Sequence, residues 1–433
     1  MSAFEPVRYA ALTDVGVKRS HNQDDFAAQP AADAAGWAAH GHVFVVADGM
    51  GGHAVGEKAS AKAVRDIPFL YLKHAKDGPL PAIRRAFEET NAGIHTVGQE
   101  NPEFRGLGTT STALVLRPEG AWFGHVGDSR AYRVRGGAAE QLTFDHSWVW
   151  EIARRQGVDP DDLGDFKKNV IIRSLGPDPD VEVDVEGPHP VRAGDAFLLC
   201  SDGLTGVVTP ADIAAVVTAL PPDEAARLLI HLANLRGGPD NITVLIVQVG
   251  RGATDTAGGV RPGAVRRAVA AWNRRVPWAF TALGGGCLFA VLSLLMHNEM
   301  PGAGLIFGVA VVGVLAGLVG VVLNLMKATD DAAPADDAPR ELHVYKTHPG
   351  PPAAEMVEKF VQLEAAVVQA LKGHDVATDW AAYEKLVANA GPGGGPAAFR
   401  GRCRSLLFLA DAFHKARHKA ESFRPSWTNP ARG

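Results

Sequence analysis

Short apolar runs alternate with polar turns over the first 250 residues and predict a sheet-rich domain. The runs are His42–Ala47, Ser111–Leu116, Ala121–Val126, Ala131–Val134, Ala196–Cys200 and Thr243–Val249. Two longer segments, Glu57–Lys73 and Leu80–Gln99, place apolar residues three and four positions apart, as amphipathic helices do. Because several strands are joined as hairpins, we expect antiparallel sheets covered by helices, which is an α+β fold over residues 1–250.

Two long apolar runs follow this domain. Residues 251–275 are rich in Gly, Ala and Arg and are interpreted as a basic linker. Val276–Met296 and Ala303–Met326 contain no charged residue, and each has roughly the 20 residues that a membrane-spanning helix needs. We therefore predict a two-helix transmembrane hairpin over residues 276–326, with a buried hairpin of a soluble domain as the alternative.

The charges beside the two runs predict their orientation. Arg274 and Arg275 precede the first run and Lys327 follows the second, while the loop between them has no Lys or Arg. Positively charged flanks stay on the cytoplasmic side of a membrane. We therefore expect a multi-pass protein of the inner (cytoplasmic) membrane, with both termini in the cytoplasm.

The C-terminal part predicts a linker over residues 327–352 and a small helical domain over residues 353–433. Its expected helices are Ala353–Leu371, Asp379–Asn389 and Ala397–Phe423. The last helix is basic, and we interpret its charges as a solvated surface in preference to a binding face.

Charge and cysteine content narrow the function classes. The formal net charge is −5, which gives no reason to expect a nucleic-acid partner. Cys200, Cys287 and Cys403 are far apart and show no zinc-site spacing, so a reducing compartment is expected.

Four aspartates occupy similar positions, each where an apolar strand meets a glycine-bearing turn. Asp48, Asp128 and Asp202 follow strands, and Asp240 precedes one. A single aspartate in such a place usually forms a turn or caps a helix. Four that converge would repel one another unless cations neutralise them. Because all the donors are oxygens, Mn²⁺ or Mg²⁺ is expected rather than zinc.

The surrounding residues fit a centre with two metal ions. A carboxylate such as Asp48 can bridge two ions that lie about 4 Å apart, and two such ions activate a water molecule for attack on a phosphoryl group. Gly49 has no side chain to keep its carbonyl oxygen from an ion. Arg19 carries a guanidinium group, which is well shaped for phosphate, although an ordinary surface arginine is the alternative.

Eight motifs in order extend this interpretation to a family. They are RSHNQDD, VVADGMGGHAVGE, GLGTTST, GHVGDSRAYRV, TFDHS, IIRSLG, LLCSDGLTG and GGPDNITV. With these motifs, residues 1–250 resemble the metal-dependent Ser/Thr protein phosphatases of the PP2C (PPM) type in their bacterial form. The resemblance implies a four-layer α-β-β-α sandwich, in which two antiparallel sheets are flanked by helices.

The resemblance also implies roles for individual residues. Asp48 matches the aspartate that bridges both ions, and Gly49 the residue that gives its carbonyl oxygen. Asp202 and Asp240 match the remaining direct ligands, while Asp128 matches a ligand of a third, weaker ion that shares Asp202. Arg19 matches the arginine that binds the substrate phosphate, so Asp48, Arg19 and Asp240 are the expected catalytic set. Residues 146–170 match a variable flap beside the cleft.

Two departures from the family pattern concern the same site. Gln23 stands in Asn22-Gln23-Asp24 where the family usually has Glu, so it brings no charge, and Asp24 is left to support the site. Met50 stands where some members have a histidine. His53 is therefore a possible general acid, although a role in shaping the glycine-rich turn is an equal alternative, and a water molecule held by a metal ion is another possible proton donor.

The resulting prediction is a membrane-anchored protein Ser/Thr phosphatase. No cysteine stands in a Cys-x5-Arg loop, so no covalent phosphoenzyme is expected. The resemblance implies phosphorylated Ser/Thr proteins as substrates, including Ser/Thr protein kinases. The alternative is a membrane-anchored pseudophosphatase that binds phosphoproteins and signals through its tail.

Overall fold

A computed structural model describes two long stretches of the chain, residues 7–250 and 343–422. Short gaps lie at residues 52–54, 105, 164–169 and 392, and residue 314 is described by itself. Residues 1–257 and 339–433 form one compact unit, and residues 258–338 form a second. The account below concerns the first unit.

Two antiparallel sheets form the centre of this unit. The first contains, in spatial order, β1 (Arg8–Asp14), β11 (Ile242–Gln248), β10 (Ala196–Cys200), β7 (Arg130–Arg135), β8 (Ala138–Gln141) and β12 (Lys346–Pro349). The second contains β2 (Asp24–Gln29), β3 (His42–Met50), β5 (Ser111–Arg117), β6 (Gly120–Val126) and β9 (Asp184–His189), and β4 (Gly108–Thr109) pairs with the end of β3. The prediction of two antiparallel sheets is confirmed.

Helices pack around the two sheets. They are α1 (Ala34–Ala39), α2 (Gly56–His74), α3 (Pro79–Glu100), α4 (Trp148–Gln156), α5 (Asp202–Thr205), α6 (Pro210–Ala219), α7 (Pro222–Leu235), α8 (Ala353–Gly373), α9 (Trp380–Ala390) and α10 (Pro396–Ser422). Both helices predicted in the first 250 residues are present, as are the three predicted in the tail. The sequence reading missed α1 and α4–α7.

Strand β3 shows why the sandwich has buried faces on both sides of each sheet. Val43, Val45 and Ala47 pack against the layer of α2 and α3. Phe44 and Val46, on the opposite face, pack against the first sheet. Because both faces are covered, the strand is a continuous apolar run rather than an alternation of apolar and polar residues. The run ends where Asp48 reaches the edge of the sandwich.

The tail helices add a further layer outside α6 and α7. Met356, Phe360 and Leu406 belong to the same apolar core as Ile213 and Val217 of α6. The described tail and the phosphatase-like part therefore form one compact unit. The boundaries expected at residues 250/251 and 352/353 stay predictions.

The predicted membrane segment is outside this description. Within the described ranges, no helix combines the length and the apolar composition that a membrane crossing needs. Apart from residue 314, residues 276–326 lie outside the described residues, so the transmembrane hairpin stays a prediction.

Candidate metal centre

Five aspartates meet at one end of the sandwich, and we call Asp24, Asp48, Asp128, Asp202 and Asp240 the acidic cluster. Asp48 is almost at the end of β3 and pairs in register with Asp24, the first residue of β2. The other three come from the turn between β6 and β7, the start of α5, and the turn before β11. Antiparallel pairing brings these strand ends to one edge, so residues up to 216 positions apart in sequence become neighbours.

Burial and mutual repulsion dominate the electrostatics of the acidic cluster. The pKa of Asp48 is raised well above its usual value by burial and then by the charges of Asp24, Asp202, Asp128 and Asp240. Burial is likewise the largest cause that raises the pKa of Asp24 to about 7 and that of Asp128 to about 8. The pKa of Asp202 is raised by burial and by the charge of Asp240. Carboxyl groups packed in this way stay ionised together only when cations neutralise them.

The free oxygens of the acidic cluster fit a hard cation. Among the described residues, Asp24 Oδ1, Asp128 Oδ1 and Asp202 Oδ1 are buried and have no hydrogen-bond partner. Buried polar atoms are normally satisfied, and an orphaned carboxylate oxygen is a ligand that Mg²⁺ and Mn²⁺ prefer. A group of three Asp, Glu, His or Cys side chains in ligand geometry is not found among the described residues. The free oxygens have the chemistry of a hard-cation site, and the coordination itself stays a prediction.

Hydroxyl groups fix the position of Asp24. Ser201 Oγ and Thr243 Oγ1 both donate to Asp24 Oδ2, over 2.7 and 2.8 Å. This leaves only Oδ1 of Asp24 facing the other carboxylates without a partner among the described residues. Asp24 is thus positioned by its neighbours, and its supporting role in metal binding stays a prediction. The sequence analysis missed Ser201 and Thr243, although both lie beside predicted site residues in the LLCSDGLTG and GGPDNITV motifs.

The backbone of Asp48 is held by two threonines of the GLGTTST motif. Asp48 N–H donates to Thr110 Oγ1 over 3.1 Å, and Thr109 Oγ1 donates to the Asp48 carbonyl oxygen over 2.8 Å. Asn241 fixes the neighbouring loop, because its Oδ1 accepts from the Gln23 backbone N–H over 2.9 Å. The order of the motifs in the sequence did not predict these hydrogen bonds.

A glycine is required at position 49 because the backbone of two neighbouring segments approaches it closely. A Cβ atom at this position would lie 2.3 Å from the Gly56 carbonyl oxygen and 2.5 Å from the Gln23 carbonyl oxygen. Both distances are far below van der Waals contact, so only glycine fits. This packing is a reason for the glycine that the sequence did not show. The expected contact of its carbonyl oxygen with a metal ion stays a prediction.

Arg19 reaches the acidic cluster through Asp240. Arg19 Nη2 lies 2.6 Å from Asp240 Oδ2, and the two side chains are 50% and 29% exposed. Both residues line a cavity of about 610 Å³ together with Asp128 and Asp202. The predicted phosphate-binding arginine therefore stands at the mouth of the predicted metal site, paired with one of its ligands.

Two histidines near the motifs of this site differ in what the structure describes. His53 lies outside the described residues, so its role as a general acid stays a prediction. His146 is buried, and its Nδ1 accepts from the Gly127 backbone N–H over 3.0 Å. It therefore braces the turn that carries Asp128. Gly127 has φ +115°, and a Cβ there would lie 2.5 Å from Thr110 Cβ, so this turn also needs glycine.

Known proteins share this part of the chain. Residues 17–227 match the family model described as Protein phosphatase 2C. Protein phosphatase PhpP of Streptococcus pneumoniae is 36% identical over 244 residues, covering 55% of this chain and 96% of that protein. Serine/threonine phosphatase stp of Listeria monocytogenes is 34% identical over 242 residues, covering 54% of this chain and 93% of that protein.

A solved structure supports the same assignment. The Mycobacterium tuberculosis serine/threonine phosphatase PstP/Ppp is 32% identical in sequence, with a TM-score of 0.50, and the match covers 57% of this chain and all of that one. The matched family model ends at residue 227, so the C-terminal tail is outside it. This chain belongs to the protein phosphatase 2C family and is a Ser/Thr protein phosphatase of that family.

Proposed function

We propose that this chain hydrolyses phosphoserine and phosphothreonine in proteins with the help of two Mn²⁺ or Mg²⁺ ions. Asp48, the Gly49 carbonyl oxygen, Asp202 and Asp240 would hold these two ions, and Asp128 a third, weaker one that shares Asp202. The observation that carries the proposal is the acidic cluster itself, whose three orphaned oxygens need a cation. When bound, the two ions supply an activated water molecule and charge stabilisation of the phosphoryl group.

Arg19 would bind the phosphate of the substrate. Its present partner is Asp240, which the ions require as a ligand. An exposed ion pair contributes little, so Asp240 can turn to a cation at small cost. The guanidinium group is then free to donate two hydrogen bonds to phosphate oxygens.

Gln23 and Asp24 have supporting roles. The Gln23 backbone is fixed through Asn241, and its side-chain amide lies against Gly56. Without a carboxylate at Gln23, Asp24 supplies the negative charge at this side of the cluster. Asp24 is held by Ser201 and Thr243, so its free oxygen stays oriented toward the other ligands.

The membrane anchor is part of the proposal. Two apolar runs over residues 276–326, flanked by basic residues, support a hairpin in the inner membrane with both termini in the cytoplasm. This position would bring the phosphatase close to membrane-bound Ser/Thr kinases as substrates. Recovery of the full-length protein from the soluble fraction of lysed cells would exclude the anchor and leave the catalytic assignment untouched.

A pseudophosphatase is the less favoured alternative. A module that only binds phosphoproteins gains nothing from placing four carboxylates around Asp48, where their charges raise its pKa. Such a cluster weakens the metal-free fold, and selection for binding alone does not require it.

The decisive experiment measures hydrolysis and metal binding on the same protein. Full-length protein is tested on a phosphothreonine peptide with Mn²⁺ and with a chelator, and Mn²⁺ binding is followed by calorimetry. We expect hydrolysis with Mn²⁺ alone, and Asp202→Asn to lower both metal affinity and turnover by roughly a hundredfold or more.

Asp77→Asn is the matched control, because Asp77 pairs with Arg85 on an exposed surface. It removes the same charge without touching the acidic cluster and is expected to leave both measurements unchanged. Equal turnover with and without the chelator would refute the metal mechanism. Mn²⁺ binding without any turnover would favour the pseudophosphatase.

A further inference from the structure

The cavity beside the acidic cluster is closed on one side by the C-terminal tail. It is lined by Asp128, Asp202 and Asp240 and also by Lys346 and His348 of β12, which lies three strands away from β10 in the first sheet. These two basic residues follow the predicted membrane hairpin by about twenty positions in sequence. A segment outside the matched family region therefore contributes to the wall of the catalytic cleft.

Both residues lie on the same face of β12. This strand continues the first sheet at its edge, where Lys346 pairs with Gln141 and His348 pairs with Ala139 of β8. Successive residues of a strand point to opposite faces, so Lys346 and His348 share a face and Thr347 points away. Gln141 lines the same cavity, which places the cavity on this face of the sheet.

Contacts from two sides fix the start of β12. Tyr345 Oη donates to Glu186 Oε1 over 2.6 Å, which joins the segment to β9 of the second sheet. Lys346 Nζ lies 2.6 Å from Asp159 Oδ1 and 5.2 Å from the ring of Trp150. Asp159 and Trp150 belong to the segment predicted as a flap beside the cleft. The tail and this segment therefore meet at Lys346.

The tail helices fix the other end of the strand. Helix α8 begins at Ala353, four residues after β12, and Lys359 Nζ on it lies 2.6 Å from Asp212 Oδ1 of α6. Phe360, on the next position, is buried in the core shared with α6 and α7. The position of β12 is thus determined by a packed domain and not by the strand pairing alone.

The charges beside β12 favour an anion. Arg130 is neutralised by Asp145, to which it donates through both Nε and Nη2. Lys346 and His348 are the further basic groups that the tail adds. The partner of Lys346, Asp159, is 46% exposed. Such a partly exposed ion pair contributes little, so an anion of a bound ligand can replace Asp159.

We propose that Lys346 and His348 form a second recognition point for the substrate, which selects phosphoproteins that carry another anionic group near the phosphorylated residue. The group is a carboxylate or a second phosphate on the same chain. This inference rests on the proposed phosphatase function and adds a substrate preference to it. Lys346 supplies the charge and His348 a ring nitrogen for a hydrogen bond.

The sheet geometry gives the spacing of this second group. Three strand-to-strand steps separate β10, which ends beside Asp202, from β12. At about 4.8 Å per step the lateral distance is about 14 Å. An extended peptide covers this distance in about four residues. Because β12 lies to one side of β10 in the sheet, the preference holds on only one side of the phosphorylated residue.

The test compares phosphothreonine peptides that differ in one residue. Full-length protein with Mn²⁺ is given a neutral peptide and two versions with Glu four residues before or after the phosphothreonine, and kcat/KM is measured for each. We expect one acidic peptide to be preferred about two- to fivefold, mainly through KM, which is the effect of one partly screened ion pair. Lys346→Met is expected to abolish this ratio, and Lys346→Arg to retain it.

Lys385→Met is the matched control, because it removes an equal charge from an exposed position of α9 in the same tail, outside the residues that line the cavity. It is expected to leave the ratio between the peptides unchanged. An equal kcat/KM for all three peptides, or a ratio that persists in folded Lys346→Met, would overturn the inference while the phosphatase function stands. Absence of hydrolysis of any peptide would instead refute the proposed function itself.

Discussion

Two groups of carboxylates in this molecule have opposite surroundings. In the acidic cluster, burial and mutual repulsion raise the pKa values of Asp24, Asp48, Asp128 and Asp202. The tail interface, where α8 and α10 contact α6 and α7, holds Asp212 and Asp411. Burial tends to raise the pKa of Asp212, but the hydrogen bond from Lys359 and the charge of Arg236 lower it overall.

Asp411 follows the same pattern as Asp212. Its burial is outweighed by the hydrogen bond with His231, 2.8 Å away, and by the charge of Arg227. The contact between Arg236 and Asp212 is an ion pair without a hydrogen bond. Arg236 Nη1 lies 2.8 Å from Asp212 Oδ2, but it donates its hydrogen bond to the Val207 carbonyl oxygen. A carboxylate that is paired with basic side chains can join two parts of the fold. Carboxylates that face one another need a bound cation to stay ionised.

The largest expected effect comes from Asp48→Asn. The amide keeps the shape but removes one repelling charge and the predicted bridging ligand. We expect turnover with Mn²⁺ to fall by roughly a thousandfold, since two-ion chemistry depends on that ligand. In the presence of a chelator at pH 8, the melting temperature should rise, because less repulsion remains.

The melting temperature and the turnover of Asp48→Asn test two different claims. A lower melting temperature of the chelated variant would contradict the view that the cluster is strained without metal. Unchanged turnover would contradict the bridging role. Asp77→Asn again serves as the control, since Asp77 is exposed and paired.

A smaller effect is expected from Asp212→Asn at the tail interface. Here the same chemical change leaves Lys359 and Arg236 without their carboxylate, and the free energy of unfolding should fall by about 2–3 kcal/mol. Chemical denaturation of the full chain measures it. Arg404→Met, which breaks an exposed pair with Glu224, should cost about 0.5 kcal/mol or less.

If Asp212→Asn and Arg404→Met lowered the free energy of unfolding equally, the burial of Asp212 would not explain the larger effect that we expect for it. If Asp212→Asn raised stability, the proposed contrast with the acidic cluster would be wrong.

A further expected effect is a pH dependence of opposite sign in the two groups. Burial raises the folded pKa values of Asp24 and Asp128 to about 7 and 8, from an ordinary value of about 4. Their contribution to stability is present below pH 4 and is lost as pH rises to 8. Asp212 and Asp411 have lowered values, so their contribution is present above pH 4 and is lost as pH falls below it.

Thermal unfolding with a chelator at a series of pH values tests both signs. The melting temperature should fall between pH 5 and pH 8, and Asp24→Asn should flatten this fall. Excess Mn²⁺ should remove it, because the cation holds the carboxylates ionised. If the melting temperature of the Asp24→Asn, Asp128→Asn double variant still fell between pH 5 and pH 8, other groups would be responsible for the fall.

The sequence was most informative where structure is local or a motif is dense. The apolar run of β3 and the periodic patterns of α2, α3 and the tail helices predicted these elements within a few residues. The spacing of aspartates at strand ends identified Asp48, Asp128, Asp202 and Asp240, and the structure brings them together. Their roles as metal ligands stay predictions.

The elements that escaped the sequence analysis lack such a pattern. Strand β8 reads AAEQ and β12 reads KTHP, and neither alternates apolar and polar residues. Each is a strand because a neighbour pairs with it. The supporting hydroxyls of Ser201 and Thr243 were missed for a similar reason, since their importance depends on Asp24, about 180 and 220 residues away in sequence.

The sequence by itself determined the family and the helices α2, α3 and α8–α10, because motif order and periodicity are properties of neighbouring residues. Only the tertiary structure decided that the tail packs on the phosphatase part and that Lys346 and His348 line its cleft. Pairing between distant strands depends on which edges and apolar faces the rest of the fold leaves open. The residues KTHP of β12 show no local pattern that would predict its pairing with β8.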